Sequence, residues 1–240
     1  MIMIPAALGI YSVADAVQLT GAHPRQIHGW LQGYSQRKGF EPAPPILHRQ
    51  HDLRDGELAL GFLDLLEVAF LHRISAAAKQ RGHRLGWKGL RAAADTARRI
   101  LGTEHPFAAK RIHTDGRAIF LEAQQATGDP ALYDITSDNF AILDVLIDSF
   151  IATIEYEDDQ PQRWTPDQRF PRILVDPRRA FGRPIEIETG APVEALFDAW
   201  KAEGGNVEKV AAWYGTDREG VDQAVHFYFD IGRGRSVAAA

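Results

Sequence analysis

Three polar side chains in the stretch TGAHPRQIHGWL (20–31) are of types that hydrogen-bond to the edges of DNA bases. They are Arg25, Gln26 and His28. In the major groove, arginine makes paired hydrogen bonds to guanine and glutamine makes them to adenine. Four cations that follow could bind phosphates, which position a protein on DNA without reading sequence: Arg37, Lys38, Arg49 and Arg54. These residues predict DNA recognition, provided that a helix exposes them.

The sequence predicts two short helices around this stretch. Ser12, followed three residues later by Asp15, is a capping-box pattern that begins the first helix. Gly21 is a left-handed stop, and Pro24 suits the first turn of the second helix. The second helix has apolar residues at helical spacing on one face: Ile27, Trp30 and Leu31. Two helices joined by a short glycine turn form a helix-turn-helix. The alternative is a capped helix pair buried in a larger α-domain.

Charge is divided unevenly along the chain. The net charge is −5, which by itself argues weakly against nucleic acid. Residues 1–115, however, carry 15 Lys and Arg against 10 Asp and Glu, and eight of the nine histidines. Residues 116–240 carry 12 cations against 22 anions. The basic half therefore contains the predicted helix-turn-helix, and the acidic half is available to another partner.

The rest of the basic half predicts a loop and two more helices. Residues 41–51 contain several prolines, which favour a loop feeding a short strand. Residues 62–79 have an apolar face wider than one contact requires, so we expect a partner subunit to cover part of it. The stretch GWKGLRAAADTARRIL (86–101) predicts a further helix.

The centre of the chain predicts a hairpin, a helix and a linker. The stretch KRIHTDGRAIFLEA (110–123) contains Asp115-Gly116, a dipeptide favoured in type I′ turns, so it predicts two short strands. Apolar spacing predicts a helix over 138–152. The polar, proline-containing stretch YEDDQPQRWTPDQRFP (156–171) predicts a linker.

The C-terminal part predicts two short strands and then three helices. The strands lie in RILVDPRRAFGRPIEIETG (172–190), around a Pro/Gly turn. We expect the first helix to stop at Gly204. The second is predicted to run from a cap at Asn206 to Gly215, and the third to begin with a capping box of Thr216 and Glu219. The spacing indicates a compact trihelical unit.

The N-terminal stretch GIYSVADAVQLTGAHPRQIHGWLQGY resembles the start of a MerR-type winged helix-turn-helix. In that family the helix pair is followed by a wing and a second helix pair, which RGHRLGWKGLRAA (81–93) resembles here. The resemblance covers about the first 100 residues and implies a DNA-binding winged domain.

The C-terminal stretch from Arg172 to Tyr228 resembles a DUF433 domain. It carries that family's Asp-Pro start at Asp176-Pro177, the Gly-x-Pro-Ile strand at 182–185, and Pro192-Val193 before the trihelix. Such domains occur in antitoxins encoded beside PIN-like ribonuclease toxins. The whole arrangement resembles the longer VapB-type antitoxins, which implies operator DNA and a toxin as partners.

Toxin-binding residues are predicted in the C-terminal helices and tail. Trp200 and Trp213 lie at helical spacing, which is also typical of core residues. The tail DIGRGRSVAAA presents Arg233 and Arg235 on a predicted glycine-spaced strand, and PIN-type ribonucleases resemble one another in a cluster of metal-binding carboxylates. A cationic tail could order on such a cluster. A frayed terminus with incidental arginines is the equal alternative.

The sequence does not favour an enzyme. His48 and His51 would point to opposite faces of a strand, so we expect no metal site, and the carboxylates of EYEDD (155–159) are typical of a solvated segment. Nucleotide-binding and hydrolase motifs such as G-x-G-x-x-G and G-x-S-x-G are absent from the sequence. The sequence has no cysteine and no long apolar run, and we expect neither a signal peptide nor a membrane span.

The sequence thus predicts a mainly α, α+β fold with three parts. These are a MerR-like winged helix-turn-helix over 1–110, a β-hairpin, helix and linker over 111–165, and a DUF433-like toxin-binding trihelix with a short hairpin over 166–240. The predicted function is a cytoplasmic, homodimeric antitoxin without catalytic residues or cofactors. The alternative is a stand-alone MerR-like regulator whose C-terminal half senses a ligand or dimerises.

Overall fold

The computed structural model describes residues 9–34, 42–53, 56–82, 84–136 and 140–238, and for 134–136, 140–142 and 232–238 it describes the backbone alone. Over these residues the chain is mainly helical, with one small four-stranded antiparallel sheet. The predicted class, α+β and mainly α, is therefore confirmed. No helix of the described part is long and apolar enough to cross a bilayer.

Four helices build the N-terminal part. They are α1 (Val13–Thr20), α2 (Pro24–Gln32), α3 (Phe62–Gln80) and α4 (Trp87–Leu101). Between α2 and α3, the described residues form no named strand. They make two antiparallel bridges, which pair Tyr34 with Ala43 and Tyr11 with Leu60. The predicted loop over 41–51 is present in its described portion, and the strand that was expected to follow is reduced to these bridges.

The chain itself covers α3. Residues on all sides of this helix are buried, including Phe62, Leu66, Phe70 and Ile74. They pack against α1, a 3₁₀ turn (Pro106–Ala108) and later helices. The expectation that a partner subunit covers the wide apolar face of 62–79 is therefore wrong, because elements distant in the sequence occupy it.

The predicted hairpin about Asp115-Gly116 is also wrong. This stretch belongs to α5 (Ile112–Thr127), in which Ile112, Gly116, Ile119, Phe120 and Ala123 form one buried helical face. Gly116 marks a close helix crossing, since a Cβ there would lie 2.6 Å from Cδ1 of Ile147. The turn preference of Asp-Gly is overridden because α4 and the later helices offer α5 a face to pack on.

Two more helices follow α5 and complete this core. They are α6 (Pro130–Thr136) and α7 (Phe140–Ile151), and the latter confirms the helix expected over 138–152. In α7 the side chains of Leu143, Ile147 and Phe150 are buried.

The predicted linker over 156–171 is a hairpin instead. Strands β1 (Ile154–Glu157) and β2 (Gln160–Trp164) pair antiparallel, with a bulge at Glu155/Tyr156. Asp158 has φ 55° in the tight turn between them. The Trp164 side chain is 1% exposed and packs into the N-terminal core. The polar composition of residues 156–171 suggested a linker because only one side of the hairpin is buried and the other side carries polar residues.

The C-terminal strands and helices confirm their prediction. Strands β3 (Ile173–Val175) and β4 (Pro184–Glu186) extend the sheet in the order β1-β2-β3-β4, and they are joined through a 3₁₀ turn (Ala180–Gly182). The helices are α8 (Val193–Ala202), α9 (Val207–Tyr214) and α10 (Arg218–Ala238).

Most helix ends in this part lie where the sequence placed them. Asn206 caps α9 by accepting a hydrogen bond from Lys209 N, and Gly215 ends α9 at φ 72°. The start of α10 differs by one residue. Asp217 accepts from Gly220 N, whereas the hydroxyl of Thr216 accepts from Arg172.

Two hydrophobic cores share the chain. The larger runs from Tyr11 to Val175 and includes α1 to α7 and the first hairpin. The smaller lies among β3 and the three C-terminal helices. Helix α10 packs on α1, and Leu19 of α1 touches both cores. The C-terminal unit is therefore seated directly on the predicted helix-turn-helix.

Candidate nucleic-acid interface

The local signals of the helix-turn-helix are present as predicted. Ser12 Oγ accepts from Asp15 N at 3.1 Å, and Asp15 accepts from Ser12 N at 2.9 Å. Gly21 adopts φ 74° and ends α1. Pro24 occupies the first turn of α2, and the Nδ1 atom of His23 accepts a hydrogen bond from Arg25 N at 3.2 Å. Local capping chemistry therefore fixes the turn between the two helices.

Helix α2 presents a polar face to solvent. Ile27, Trp30 and Leu31 are buried as predicted. Arg25 and His28, one turn apart, are exposed, and the Nδ1 atom of His28 lies 3.1 Å from Oε1 of Gln32. Gln26 is half-buried, and its Oε1 accepts from His23 N at 3.2 Å as part of the cap. Arg25 and His28 thus form the open part of the face.

An aromatic pair lies beside this face. The Tyr34 ring packs over Gly29, where a Cβ would lie 2.4 Å from the tyrosine oxygen. The Tyr34 hydroxyl donates to Arg25 O at 3.4 Å, and its ring centroid is 4.9 Å from that of Trp87. Trp87 begins α4, and the next residue, Lys88, is exposed. The fold therefore brings the start of α4 close to α2, which sequence spacing did not indicate.

The segment 42–47 is held between α2 and α4. The backbone N–H groups of Ile46 and Leu47 both donate to Trp30 O at 2.9 Å. Arg91 Nη1 donates to Pro44 O at 3.0 Å, and Arg98 Nη2 donates to Ile46 O. Two arginines of α4 are therefore engaged in fixing this segment and not in presenting charge.

Arg49 lies beside a second polar feature. It is exposed and borders a shallow cavity of about 350 Å³ that His48, His51 and Asp52 also line. The His51 Nε2 atom is buried without a hydrogen-bond partner, and His48 Nδ1 contacts Glu104. Within the described ranges, no group of three His, Cys, Asp or Glu residues could hold a metal ion.

Buried acidic residues fix the loop that carries Arg49. Both carboxylate oxygens of Asp64 accept from Gln50 N at 3.1 Å, and Gln50 Oε1 accepts from Leu63 N at 2.7 Å. Burial raises the pKa of Asp64 to about 6, although the backbone hydrogen bonds act the other way.

The same buried cluster includes an ion pair. His105 Nδ1 lies 3.1 Å from Glu67 Oε2, and both Asp64 and Glu67 are fully buried. Burial alone would lower the pKa of His105, but its hydrogen bond and charge interaction with Glu67 outweigh this and raise that pKa. The cluster joins the 48–51 loop to the core of the fold.

The remaining predicted phosphate-binding cations, Arg37, Lys38 and Arg54, lie outside the residues that the structure describes. Of the predicted DNA-binding set, the structure therefore places Arg25, Gln26, His28 and Arg49. Tyr34, Trp87 and Lys88 are the residues near α2 that the sequence prediction missed. The only available signal was the resemblance of 81–93 to a second helix pair.

The C-terminal unit carries aromatic side chains at its surface. Trp213 is 60% exposed, and Lys209 Nζ lies 5.0 Å from its ring centroid. Trp200 is half-buried in a cluster with Phe197 and Phe229, and Phe229 is 45% exposed. Of the two predicted tryptophans, Trp213 is therefore the accessible one and Trp200 mainly supports the fold.

The predicted C-terminal strand is a helix. Residues 230–238 continue α10, so Arg233 and Arg235 lie on a helical backbone and not on a glycine-spaced strand. The preceding turns of α10 are anchored by packing on α8 and α9, and they supply the hydrogen-bonded turns onto which further residues add.

A buried ion-pair network holds the C-terminal unit together. Arg172 donates from Nε and Nη2 to Glu186 Oε1, at 3.1 and 2.8 Å. Its Nη1 donates to Asp217 at 2.6 Å. The fully buried carboxylate of Glu186 also accepts from Thr189 N and Oγ1. Strands β3 and β4 are thereby tied to the start of α10.

Comparison with known proteins finds a solved structure with a similar fold. The crystal structure of Rv2018 from Mycobacterium tuberculosis matches with a TM-score of 0.69, covering 91% of this chain and 97% of that chain. The sequences are 18% identical, so this likeness shows a shared fold alone. No family model and no curated protein matches the chain.

Proposed function

We propose that this protein is an operator-binding antitoxin. Its N-terminal helix-turn-helix would bind DNA, and its acidic C-terminal half would bind and neutralise a PIN-like ribonuclease toxin encoded nearby. The observation that carries the DNA-binding part is the exposed face of α2. Arg25 and His28 are open to solvent there. Tyr34 packs beside this face and against Trp87, and the residue after Trp87 is the exposed cation Lys88.

Each part of this surface has a distinct chemical role. Arg25 can reach a base edge, because its side chain lies on the exposed face of a two-turn helix whose other face is buried. Lys88, in the first turn of α4, can bind a phosphate, which the positive end of a helix also favours. Arg49 offers a further phosphate contact.

The toxin-binding part rests on separate observations. It comes from the DUF433 and VapB-type resemblances, from the excess of anions in residues 116–240, and from the exposed indole of Trp213. Exposed aromatic side chains are frequent anchors of protein interfaces.

DNA binding is tested on the full chain with its own promoter fragment. Arg25→Ala should weaken binding by about 1–3 kcal/mol and relax sequence preference, whereas Lys88→Ala should weaken all sequences alike and lower the salt slope by about one. Arg218→Ala is the matched control, because Arg218 is a 68% exposed cation of the C-terminal unit. Failure of the unaltered chain to bind at low salt would overturn the proposal.

Toxin binding is tested by co-purification with the product of the neighbouring gene and by an RNA-cleavage assay. We expect Trp213→Ala to weaken the complex. The double variant Arg233→Ala/Arg235→Ala should relieve inhibition if the end of α10 reaches the toxin's carboxylates. DNA binding without any captured neighbour would instead favour the stand-alone regulator.

A further inference from the structure

Phe181 is the most exposed large apolar side chain of the described residues. It is 86% exposed, compared with 63% for Val145, the next. It also lies in a left-handed backbone conformation, with φ 57°, directly after Ala180 with φ 46°. Residues with a β-carbon rarely adopt this conformation, and such strain is concentrated at functional contacts. Within a single chain, neither the exposure of this ring nor the strain of its turn is offset by a stabilising contact of the ring.

The turn that carries Phe181 is held firmly. Arg179 N donates to Asp176 O at 3.0 Å, and Gly182 N donates to Arg179 O at 2.8 Å. Gly182, with φ 80°, packs against Tyr11, so closely that a Cβ would lie 2.4 Å from the tyrosine oxygen. The backbone that carries the ring is therefore held in place, which lowers the backbone entropy lost when the ring binds a partner.

Three cations are close neighbours of Phe181 in the sequence. Arg178, Arg179 and Arg183 flank it in the sequence RRAFGR. Arg178 is exposed, and its Nε lies 3.4 Å from the carboxylate of the buried Asp176. Arg183 Nη1 lies 3.7 Å from the carboxylate of Glu194, and the side chains of Arg183 and Glu194 are each at least 60% exposed. These charges are concentrated in a half of the chain that is otherwise acidic. We call residues 178–183 the Phe181 loop.

A cavity of about 420 Å³ opens beside the Phe181 loop, between α1 and the C-terminal helices. Carboxylates belong to its lining, from Asp15 on α1 and Glu194 on α8. Phe181, Gly182 and Arg183 of the loop form part of the lining themselves, so the loop is one wall of the cavity. Apolar residues elsewhere in the lining include Ile10, Leu19, Pro184, Pro192, Val193 and Ile231. Cavities of this size and character accept aromatic groups.

We propose that two copies of this chain associate about a two-fold axis, each inserting Phe181 into the cavity of the other. The loop arginines of each copy would face Asp15 and Glu194 of the second copy. The Phe181 loop, with its arginines, and the apolar cavity, with its carboxylates, lie side by side on one surface of the chain. Such a patch is self-complementary, and a two-fold contact of this kind closes at two subunits.

A second copy is favoured over another partner because the chain supplies both halves of the contact. The wide apolar face of α3, the surface predicted for dimerisation, is already covered within the chain. The inference names the surface of the homodimer that the proposed function invokes for a two-fold operator, and it is tested by oligomeric state and not by DNA binding.

The first test is sedimentation velocity of the full chain over the micromolar range. The unaltered chain should be a dimer, and Phe181→Asn should raise the dissociation constant at least about tenfold, since aromatic anchors carry much of an interface's energy. Asparagine tolerates the left-handed conformation, so the turn should persist. Val145→Asn, at a 63% exposed position on α7, is the matched control and should change nothing. A monomeric unaltered chain, or an unchanged Phe181→Asn dimer, overturns the inference.

The second test exchanges charge between loop and cavity. Arg179→Glu and Glu194→Arg should each weaken the dimer, because both contacts then bring like charges together. An equimolar mixture of the two variants should recover dimers containing one chain of each, since both contacts again join opposite charges. If the mixture does not recover, the pairing of loop with cavity is wrong. A chain that dimerises in this way but fails to bind DNA would contradict the proposed function and leave this inference unaffected.

Discussion

Removing the buried carboxylate of Glu186 should be among the most damaging single changes to the C-terminal unit. Glu186→Ala leaves the guanidinium of Arg172, whose side chain is 13% exposed, without its buried partner. It also leaves the N–H and hydroxyl of Thr189 without their acceptor. Breaking a buried pair from one side costs about 3–5 kcal/mol. Because Asp217 and Glu188 still contact Arg172, we expect about 3 kcal/mol of lost unfolding free energy.

The matched control is Glu188→Ala. Glu188 pairs with the same arginine, with Oε2 2.7 Å from Arg172 Nη2, but its side chain is 57% exposed. An exposed pair contributes at most about 1 kcal/mol. The two variants remove the same chemical group from the same arginine, and they differ in the burial of that group and in the two Thr189 donors that Glu186 accepts. Urea denaturation followed by circular dichroism measures both, and losses equal within about 0.5 kcal/mol would refute the reasoning.

The same network predicts acid sensitivity. Burial alone would raise the pKa of Glu186, but hydrogen bonds from Thr189 and Arg172 outweigh it and hold that pKa below its ordinary value. A lowered carboxyl pKa gives stability that is present above the unfolded-state pKa and lost as pH falls through the folded-state pKa. Stability of the unaltered chain should therefore fall below about pH 4 more steeply than that of Glu186→Ala.

Three further outcomes are expected. Gly182→Ala should lower the unfolding free energy by about 1–3 kcal/mol because of its positive φ and the nearby Tyr11 oxygen. Gly204→Ala is the control, since Gly204 has φ 61° but open space around it, and its loss of unfolding free energy should be smaller. Equal losses for the two variants in urea denaturation would contradict this prediction. Burial raises the pKa of Asp64 to about 6, so its stabilising contribution is present in acid and lost as pH rises through that value. Asp64→Asn should accordingly flatten the stability profile between about pH 4 and 6, and a parallel profile would count against it. Trp213→Ala should weaken toxin capture and leave the melting temperature nearly unchanged, since the indole is 60% exposed. A large drop in melting temperature would instead show that the indole stabilises the fold of the chain.

The sequence determined those elements whose signals are local. Ser12, Gly21 and Pro24 bound the first two helices as predicted, and Asn206 and Gly215 bound α9. Each of these residues acts on backbone groups within a few positions of itself, through a cap or a permitted φ. The exposed face of α2 follows from the same spacing, which is why Arg25 and His28 could be named in advance.

Only the tertiary structure decided the elements whose signals conflict or depend on distant residues. Asp115-Gly116 has a turn preference, yet the stretch is helical because Ile147 and neighbouring helices complete its buried face. The polar stretch around Asp158 reads as a linker, yet it pairs as a hairpin because the core accepts Trp164.

The same holds for the surfaces that carry the proposals. Trp87 lies more than fifty positions beyond α2, and the fold alone brings its ring beside that of Tyr34, with Lys88 as the next residue of α4. Phe181 would count as a core residue by its type, but the contact of Gly182 with Tyr11 directs the turn so that the ring faces solvent. Local chemistry fixes where a helix begins and ends, whereas exposure is set by what packs against each residue from elsewhere in the chain.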